Sequence, residues 1–368
     1  MKTRSEAEKK YSEYELLKFA EERKYLMRNH PLRHIMWETT TRCNAGCAHC
    51  NCSCEKHNKV EEVDIKYMYK VLDDVNKAYG AQNVFFVTTG GEPLLRKGIF
   101  DVCKYATSLG YEWGLTTNGS LLTKTMVQRC KDAGLKSLNV SIDGLKETHE
   151  SFRKLPGFWE KIWAGIDMMR EEPAIPIVQI TTVATKRNIH ELEDLYNFLV
   201  SKGIKYWRIL TVDENGRARE NKDILLESED YEYIFDFIDR HKKDGKLEDL
   251  TYGCSNFLGL NLEQRVRGGS FLCTAGILSS AILSNGDLFV CPNVTRKPEL
   301  MQGNITKDNF VDVWENRYNF FRDENKMANP KCLACKDWKF CIGGSLHTFN
   351  FEERCQDFCM KERLKTFE

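Results

Sequence analysis

Short apolar runs alternate with amphipathic stretches from residue 33 to residue 212. The runs predict strands at Arg33–Thr40, Asn83–Thr89, Tyr111–Thr116, Ser137–Ile142, Ile175–Val183 and Lys205–Val212. The stretches between them predict helices over Asp64–Tyr79, Leu121–Ala133, Phe158–Arg170 and Asn188–Lys202. In the last, Ile189, Leu192, Leu195, Tyr196 and Leu199 share one helical face. Repeated βα units favour right-handed, parallel pairing in one sheet whose faces helices cover. Six units rather than eight predict an α/β fold of the incomplete (β/α)6, TIM-like barrel kind. Residues 1–32 read as a helical extension, 33–215 as the barrel, and 216–253 as a polar bridge with a helix near Tyr231–Lys242. Residues 254–368 show weak periodicity and glycine turns, so a domain with a thin core held by metal is expected there.

Composition narrows the function. Lysine plus arginine and aspartate plus glutamate number 54 each, so no strongly basic face for nucleic acid is expected. The first residues are charged and lack an apolar segment, so no signal peptide is expected. No run of about 18 apolar residues predicts a membrane span. Fifteen cysteines without an export signal point to metal ligation in a reducing, cytoplasmic setting.

The cysteines are not scattered. Cys43, Cys47 and Cys50 form a CxxxCxxC run just past the first strand. A cubane 4Fe–4S cluster takes one thiolate per iron. Three thiolates in one loop therefore leave one iron open to a small molecule. Zinc, the alternative, usually takes four ligands from paired CxxC elements. Eight more cysteines follow residue 250: Cys254, Cys273, Cys291, Cys332, Cys335, Cys341, Cys355 and Cys359. Eight is the number that ligates two cubanes completely. Cys52, Cys54, Cys103 and Cys130 are left over and read as buried or incidental thiols. Polar motifs share the strand ends: Gly90-Gly91-Glu92-Pro93, Thr117-Asn118-Gly119 and Ser141-Ile-Asp143-Gly144. In barrel folds that end carries the active site.

The CxxxCxxC loop and the Gly90-Gly91-Glu92-Pro93 turn resemble the radical S-adenosylmethionine (SAM) superfamily. The resemblance implies that SAM fills the open iron and is cleaved reductively to a 5′-deoxyadenosyl radical. It implies SAM contacts from Gly90, Gly91 and Glu92, and from Asn118, Ser141 and Arg153. Gly216-Arg217-Ala218 is similar to a family segment near the adenine, and His49 stands where the family often has an aromatic residue packed beside the cofactor.

Cys273, Gly286 and Cys291, then Cys332-x2-Cys335-x5-Cys341, resemble the SPASM extension, which carries two auxiliary 4Fe–4S clusters. One departure is plain: the residue four after Cys341 is Ser345 where the pattern has cysteine. Cys355 is the expected replacement. The first auxiliary cluster would use Cys254, Cys273, Cys291 and Cys355, and the second Cys332, Cys335, Cys341 and Cys359. Ligation by Ser345, or an open iron, are the alternatives.

SPASM enzymes mostly act on peptides or proteins. The resemblance therefore implies oxidative peptide modification, giving a crosslink, a thioether or a dehydrogenation. It also implies a flavodoxin- or ferredoxin-type electron donor. The sulfatase-maturing subgroup has an aspartate at the position of Pro292, which counts against that activity. The 32-residue extension is short for the winged-helix leader-binding domain of many peptide maturases. Dehydrogenation of a small metabolite or sugar alcohol is the second reading, and a non-enzymatic iron–sulfur electron carrier the third. The substrate base is not legible.

Overall fold

The computed structural model describes residues 6–57, 60–254, 256–259, 262–325 and 328–364, so residues 1–5 of the expected extension lie outside them. The chain opens with helix α1 (Glu6–Asn29). Six strands stand at the expected places: β1 (His34–Glu38), β2 (Phe85–Thr89), β3 (Trp113–Thr117), β4 (Leu135–Ser141), β5 (Ile177–Ala184) and β6 (Tyr206–Thr211). They lie side by side in chain order, all parallel. Between them run α2 (Lys66–Tyr79), α3 (Ile99–Leu109), α4 (Lys124–Asp132), α5 (Lys146–Arg153), α6 (Trp159–Arg170) and α7 (Leu192–Ser201). Each helix buries one stripe. In α2 that stripe is Met68, Val71, Leu72 and Val75, the spacing of a single helical face.

The two faces of the sheet differ. Trp37, Phe86, Trp113, Leu138, Ile180 and Trp207 are fully buried beneath the helices. Burying a large apolar side chain of this kind contributes roughly 1.5–3 kcal/mol. Trp207 packs on α7 through Tyr196, so its neighbour Arg208 faces the concave side. There Arg208 Nε and Nη2 donate to Thr181 Oγ1 at 3.4 and 3.3 Å, and Thr181 donates to Asn139 Oδ1 at 2.7 Å. A closed barrel fills its interior with branched apolar side chains. This one offers polar groups on the concave face instead.

The segment expected as a bridge does more than bridge. It contains α8 (Ser228–Asp244), started by a reciprocal cap between Glu227 and Asp230, and then β7 (Asp249–Tyr252), which pairs parallel to β6. The expectation of a thin core after residue 254 is also corrected. β8 (Ser279–Ile282) pairs parallel to β1 on the other edge, and β9 (Asp287–Phe289) and β10 (Gly303–Asn304) extend the sheet antiparallel. Ile282, Leu288, Phe289, Val313, Trp314 and Tyr318 are buried in the same core as the barrel. The ten strands run β10-β9-β8-β1-β2-β3-β4-β5-β6-β7, so among the described residues the outer strands do not close a ring. A small ribbon, β11 (Phe349–Asn350) with β12 (Cys355–Gln356), stands apart from the sheet.

Helix α1 docks on the cysteine-rich half. Leu16 and Ala20 are buried with Phe257, Phe271 and Phe340. Buried Arg23 donates Nη1 to the Phe340 carbonyl at 2.6 Å, next to Cys341.

Candidate active site

The strand ends bring the first site together. Cys43, Cys47 and Cys50 follow β1 and share a cluster with Ala45, Leu155 and Cys54. Three donors point at the sulfurs: Ala45 N at 3.4 Å and Asn118 Nδ2 at 3.8 Å from Cys43, and Arg153 Nη1 at 3.7 Å from Cys47. Burial pushes the Cys43 thiol up and the Cys47 thiol to about 11. Cys50 is drawn down to about 6, chiefly by a hydrogen bond from the Cys54 thiol. Cys54 is thereby held protonated; it and half-buried Cys52 stand beside the trio. Arg217 clamps the loop from outside: its Nε reaches the Cys47 carbonyl and its Nη1 the Cys54 carbonyl, each at 2.8 Å, and its backbone N–H the Cys50 carbonyl at 3.1 Å. The segment expected near an adenine is thus the brace of the cysteine loop.

The glycine pair is needed for a reason the sequence did not supply. Gly91 N donates to the Thr40 carbonyl and Glu92 N to the Arg42 carbonyl, both at 2.8 Å. A Cβ on Gly90 would overlap the Thr40 carbonyl oxygen, and one on Gly91 the Arg42 carbonyl oxygen. Only glycine lets these two strand-end segments run so close. Gly91→Ala is therefore expected to displace the cysteine loop. Anaerobic reconstitution should then give less than half the wild-type iron at the first site, read by iron analysis.

Glu92 and Arg153, expected as SAM contacts, also have partners within the protein. The Glu92 carboxylate is fully buried and accepts from Thr117 Oγ1 at 2.8 Å, Asn118 N at 2.9 Å and Leu94 N at 3.3 Å. Burial raises its pKa against those donors. It ties the end of β2 to the end of β3. Arg153 Nε pairs with Asp143 Oδ2 at 2.7 Å, and both side chains are buried. Burial works against the charge on Asp143, but Arg153, His49, the Val183 N–H and His149 together hold the carboxyl below its usual range. Asn118 bonds Asn44 Oδ1 at 2.9 Å as well as facing Cys43. Ser141 is half-buried on the concave face with Asn139, in register with Thr181. His49 stacks flat on Phe152 at 4.9 Å. Cys103 and Cys130 are core thiols.

These residues fit the groups the sequence implies. Three thiols, one of them drawn toward the thiolate by its neighbour, suit an iron–sulfur cluster with one uncommitted iron. The concave strip of Asn139, Ser141, Thr181 and Arg208 offers polar partners for a ligand such as SAM. Among the described residues no three His, Cys, Asp or Glu side chains close on one point as a single metal ion requires.

The other eight cysteines fall into two groups. Cys254 acts electrostatically on Cys273 and on His347, and His347 Nε2 stands 3.5 Å from Cys291 Sγ. Cys332, Cys335, Cys341 and Cys359 act on one another in a second group. Cys355 joins this second group. Its charged neighbours are Glu353, Asp357, Lys331 and Cys359, and its own charge acts on Cys332. The hairpin of β11 and β12 carries Cys355 and runs directly into Cys359. Sequence reasoning passed over His347, whose only signal is its position two residues beyond Ser345.

A cavity of about 490 Å³ lies where the halves meet. Its barrel wall is Thr211–Asn215, and its far wall includes Thr348, Asp357, Phe358 and Arg363. The same segment that carries Asp213 continues to Arg217 on the first cysteine loop.

Comparison with known proteins agrees with this geometry. The model of the radical SAM superfamily matches residues 37–199, and that of the SPASM iron–sulfur cluster-binding domain matches residues 273–336. The AdoMet-dependent heme synthase of Methanosarcina barkeri is 29% identical over 333 residues, 86% of this chain and 92% of that protein. The mycofactocin maturase MftC of Mycobacterium tuberculosis is 25% identical over 317 residues, 85% of this chain and 78% of that protein. Streptococcus suis SuiB bound to its precursor peptide SuiA superposes with a TM-score of 0.62 at 20% identity, covering 86% of this chain and 73% of SuiB. That last likeness is one of fold.

Proposed function

We propose, for a chain that is a radical SAM enzyme of the SPASM type with 4Fe–4S clusters and SAM as its cofactors, that it removes two electrons and two hydrogens from a peptide substrate. Cys43, Cys47 and Cys50 would hold the SAM-binding cluster, and the two C-terminal groups the auxiliary clusters. Bound there, the cluster and SAM supply a carbon radical able to take hydrogen from an unactivated C–H bond. The chain's own residues do the rest. Asn118, Arg153 and the Ala45 N–H face the sulfurs and so bias the potential of what the trio binds. Glu92 and the glycine pair fix the strand ends around it. Arg217, which braces the first cysteine loop, and Asp213, which lines the cavity and faces His347, lie on one short segment.

The pairing of that trio with two further cysteine groups is the observation that carries the reading: one chain holds a loop suited to start a radical and thiols suited to hold an electron acceptor, as an oxidative reaction needs. The SPASM resemblance and the likeness to a maturase support a peptide. Pro292, at the position of the sulfatase-maturing aspartate, counts against that activity, and its carbonyl meets Cys52 at 3.4 Å. No helix among the described residues is long and apolar enough to cross a membrane. A reduced flavodoxin or ferredoxin is the proposed electron source, and the cytoplasm the proposed location.

The test is anaerobic turnover with dithionite, SAM and precursor peptides encoded beside the gene. Release of 5′-deoxyadenosine together with peptide lighter by two hydrogens supports the reading; nucleoside release without peptide change overturns the substrate class. A second reading, action on a tetrapyrrole, is favoured by the likeness to heme synthases. Arg219, Lys222 and Arg363 on the cavity wall also suit propionate groups. The same assay offered an iron porphyrin separates the two.

A further inference from the structure

We propose that His347 is the fourth protein ligand of the first auxiliary cluster, completing a set of one imidazole and three thiolates with Cys254, Cys273 and Cys291. This rests on the reading that the C-terminal cysteines hold iron–sulfur clusters.

The sequence leaves that group one thiol short. Ser345 stands where the pattern has cysteine, and Cys355 lies on the hairpin that leads into Cys359. The fold shows what takes the place. Ser345 is buried, but its hydroxyl is turned inward and accepts the His347 N–H at 3.2 Å, starting the turn Leu346–Thr348. Its backbone N–H donates to Asn256 Oδ1 at 2.9 Å, and its carbonyl accepts from Gln356 Nε2 at 2.7 Å. The serine is therefore a cap with its bonds made.

The turn it starts lies across the thiols. The Leu346 N–H donates to the Cys273 sulfur, and the next residue presents its imidazole to Cys291, Nε2 to Sγ, at 3.5 Å. Cys254 is within electrostatic reach of the same imidazole. The other ring nitrogen, Nδ1, faces Asp213 Oδ2 at 3.6 Å. A metal-bound histidine almost always has its second nitrogen on a carboxylate, a backbone carbonyl or a water, which fixes the ring and raises its basicity. His347 has that arrangement before any metal is considered: one nitrogen toward soft ligands, the other on an acid. Asn215 Nδ2 donates to the His347 carbonyl, which pins the backbone as well.

The chemical consequence is directional. Exchanging a thiolate for a neutral imidazole removes one negative charge from the cluster, and histidine ligation raises iron–sulfur potentials where it occurs. The first auxiliary cluster would then be the more willing electron acceptor of the two. Asp213 is both a cavity wall and the histidine's partner, so a substrate pressing on Asp213 also touches the ligand's orientation.

The test uses the full chain in which Cys43, Cys47 and Cys50 are alanine, so that only the auxiliary clusters remain. It is grown with isotopically labelled histidine and reconstituted anaerobically. Electron–nuclear double resonance of the reduced protein is expected to show coupling to a histidine nitrogen. That coupling should vanish in His347→Gln and persist in Ser345→Ala. His347→Cys should keep the full iron content, lose the coupling and lower the midpoint potential of one cluster. Full iron and a cluster signal without histidine coupling would overturn the ligand assignment and leave the auxiliary clusters standing. A protein that binds no iron without the first trio would overturn the parent reading itself. The isotope measurement needs no change at His347, so a misfolded variant does not blunt it.

Discussion

Cys47→Ala protein, reconstituted anaerobically and mixed with SAM and dithionite, is expected to release 5′-deoxyadenosine only at background. Outer-shell changes around a metal typically cost roughly ten- to hundredfold; loss of one of three thiols in a loop should exceed that. No substitute is in place. Cys54 is buried and its hydrogen is committed to Cys50, while Cys52 is turned toward the carbonyl of Pro292. The loop cannot slide to bring them in, because Arg217 and the Glu55–Cys43 backbone bond hold both ends. Absorbance and iron analysis should show the first cluster missing, with iron in the C-terminal half retained. Retained turnover would remove Cys47 from the ligand set.

The second large effect is expected at Arg153. Its guanidinium pairs with a fully buried Asp143 and reaches the Cys47 sulfur. Removing one member of a buried ion pair typically costs about 3–5 kcal/mol, because the other charge is stranded. Arg153→Met should lower unfolding stability by about that amount, measured by denaturant titration of protein without clusters. Arg153→Met with Asp143→Leu should recover part of it, since no charge is then left behind. The pH dependence has a definite sign. Asp143 is held below the ordinary carboxylate value in the folded state. Its contribution is therefore complete above that ordinary value, about 3.9, and is lost as pH falls through the lower folded value. Wild type should lose stability in that acid window more steeply than the double variant.

How much of this was legible depended on whether the cause was local. The six barrel strands announce themselves because each is a run of apolar residues long enough to read. β7 does not: in Asp249–Tyr252 only Leu250 and Tyr252 are apolar. Ser279–Ile282 is short and half serine, and its partner β1 lies at the other end of the chain. The cysteine trio was legible because its chemistry is a matter of spacing within one loop. The partners of Glu92 and Arg153 come from other strand ends, Thr117 and Asn118 after β3 and Asp143 after β4, so only the fold could show those carboxylate and guanidinium groups already engaged. His347 had no cysteine spacing to betray it, and the surroundings of Cys355 are set by a hairpin rather than by the register of cysteines.

The continuous sheet has a mechanical meaning. Because β8 is laddered to β1, the segment between Cys273 and Cys291 is part of the barrel's own sheet and does not hinge away from it. The spacing between the first cysteine loop and Cys273 and Cys291 is thus set when the sheet forms.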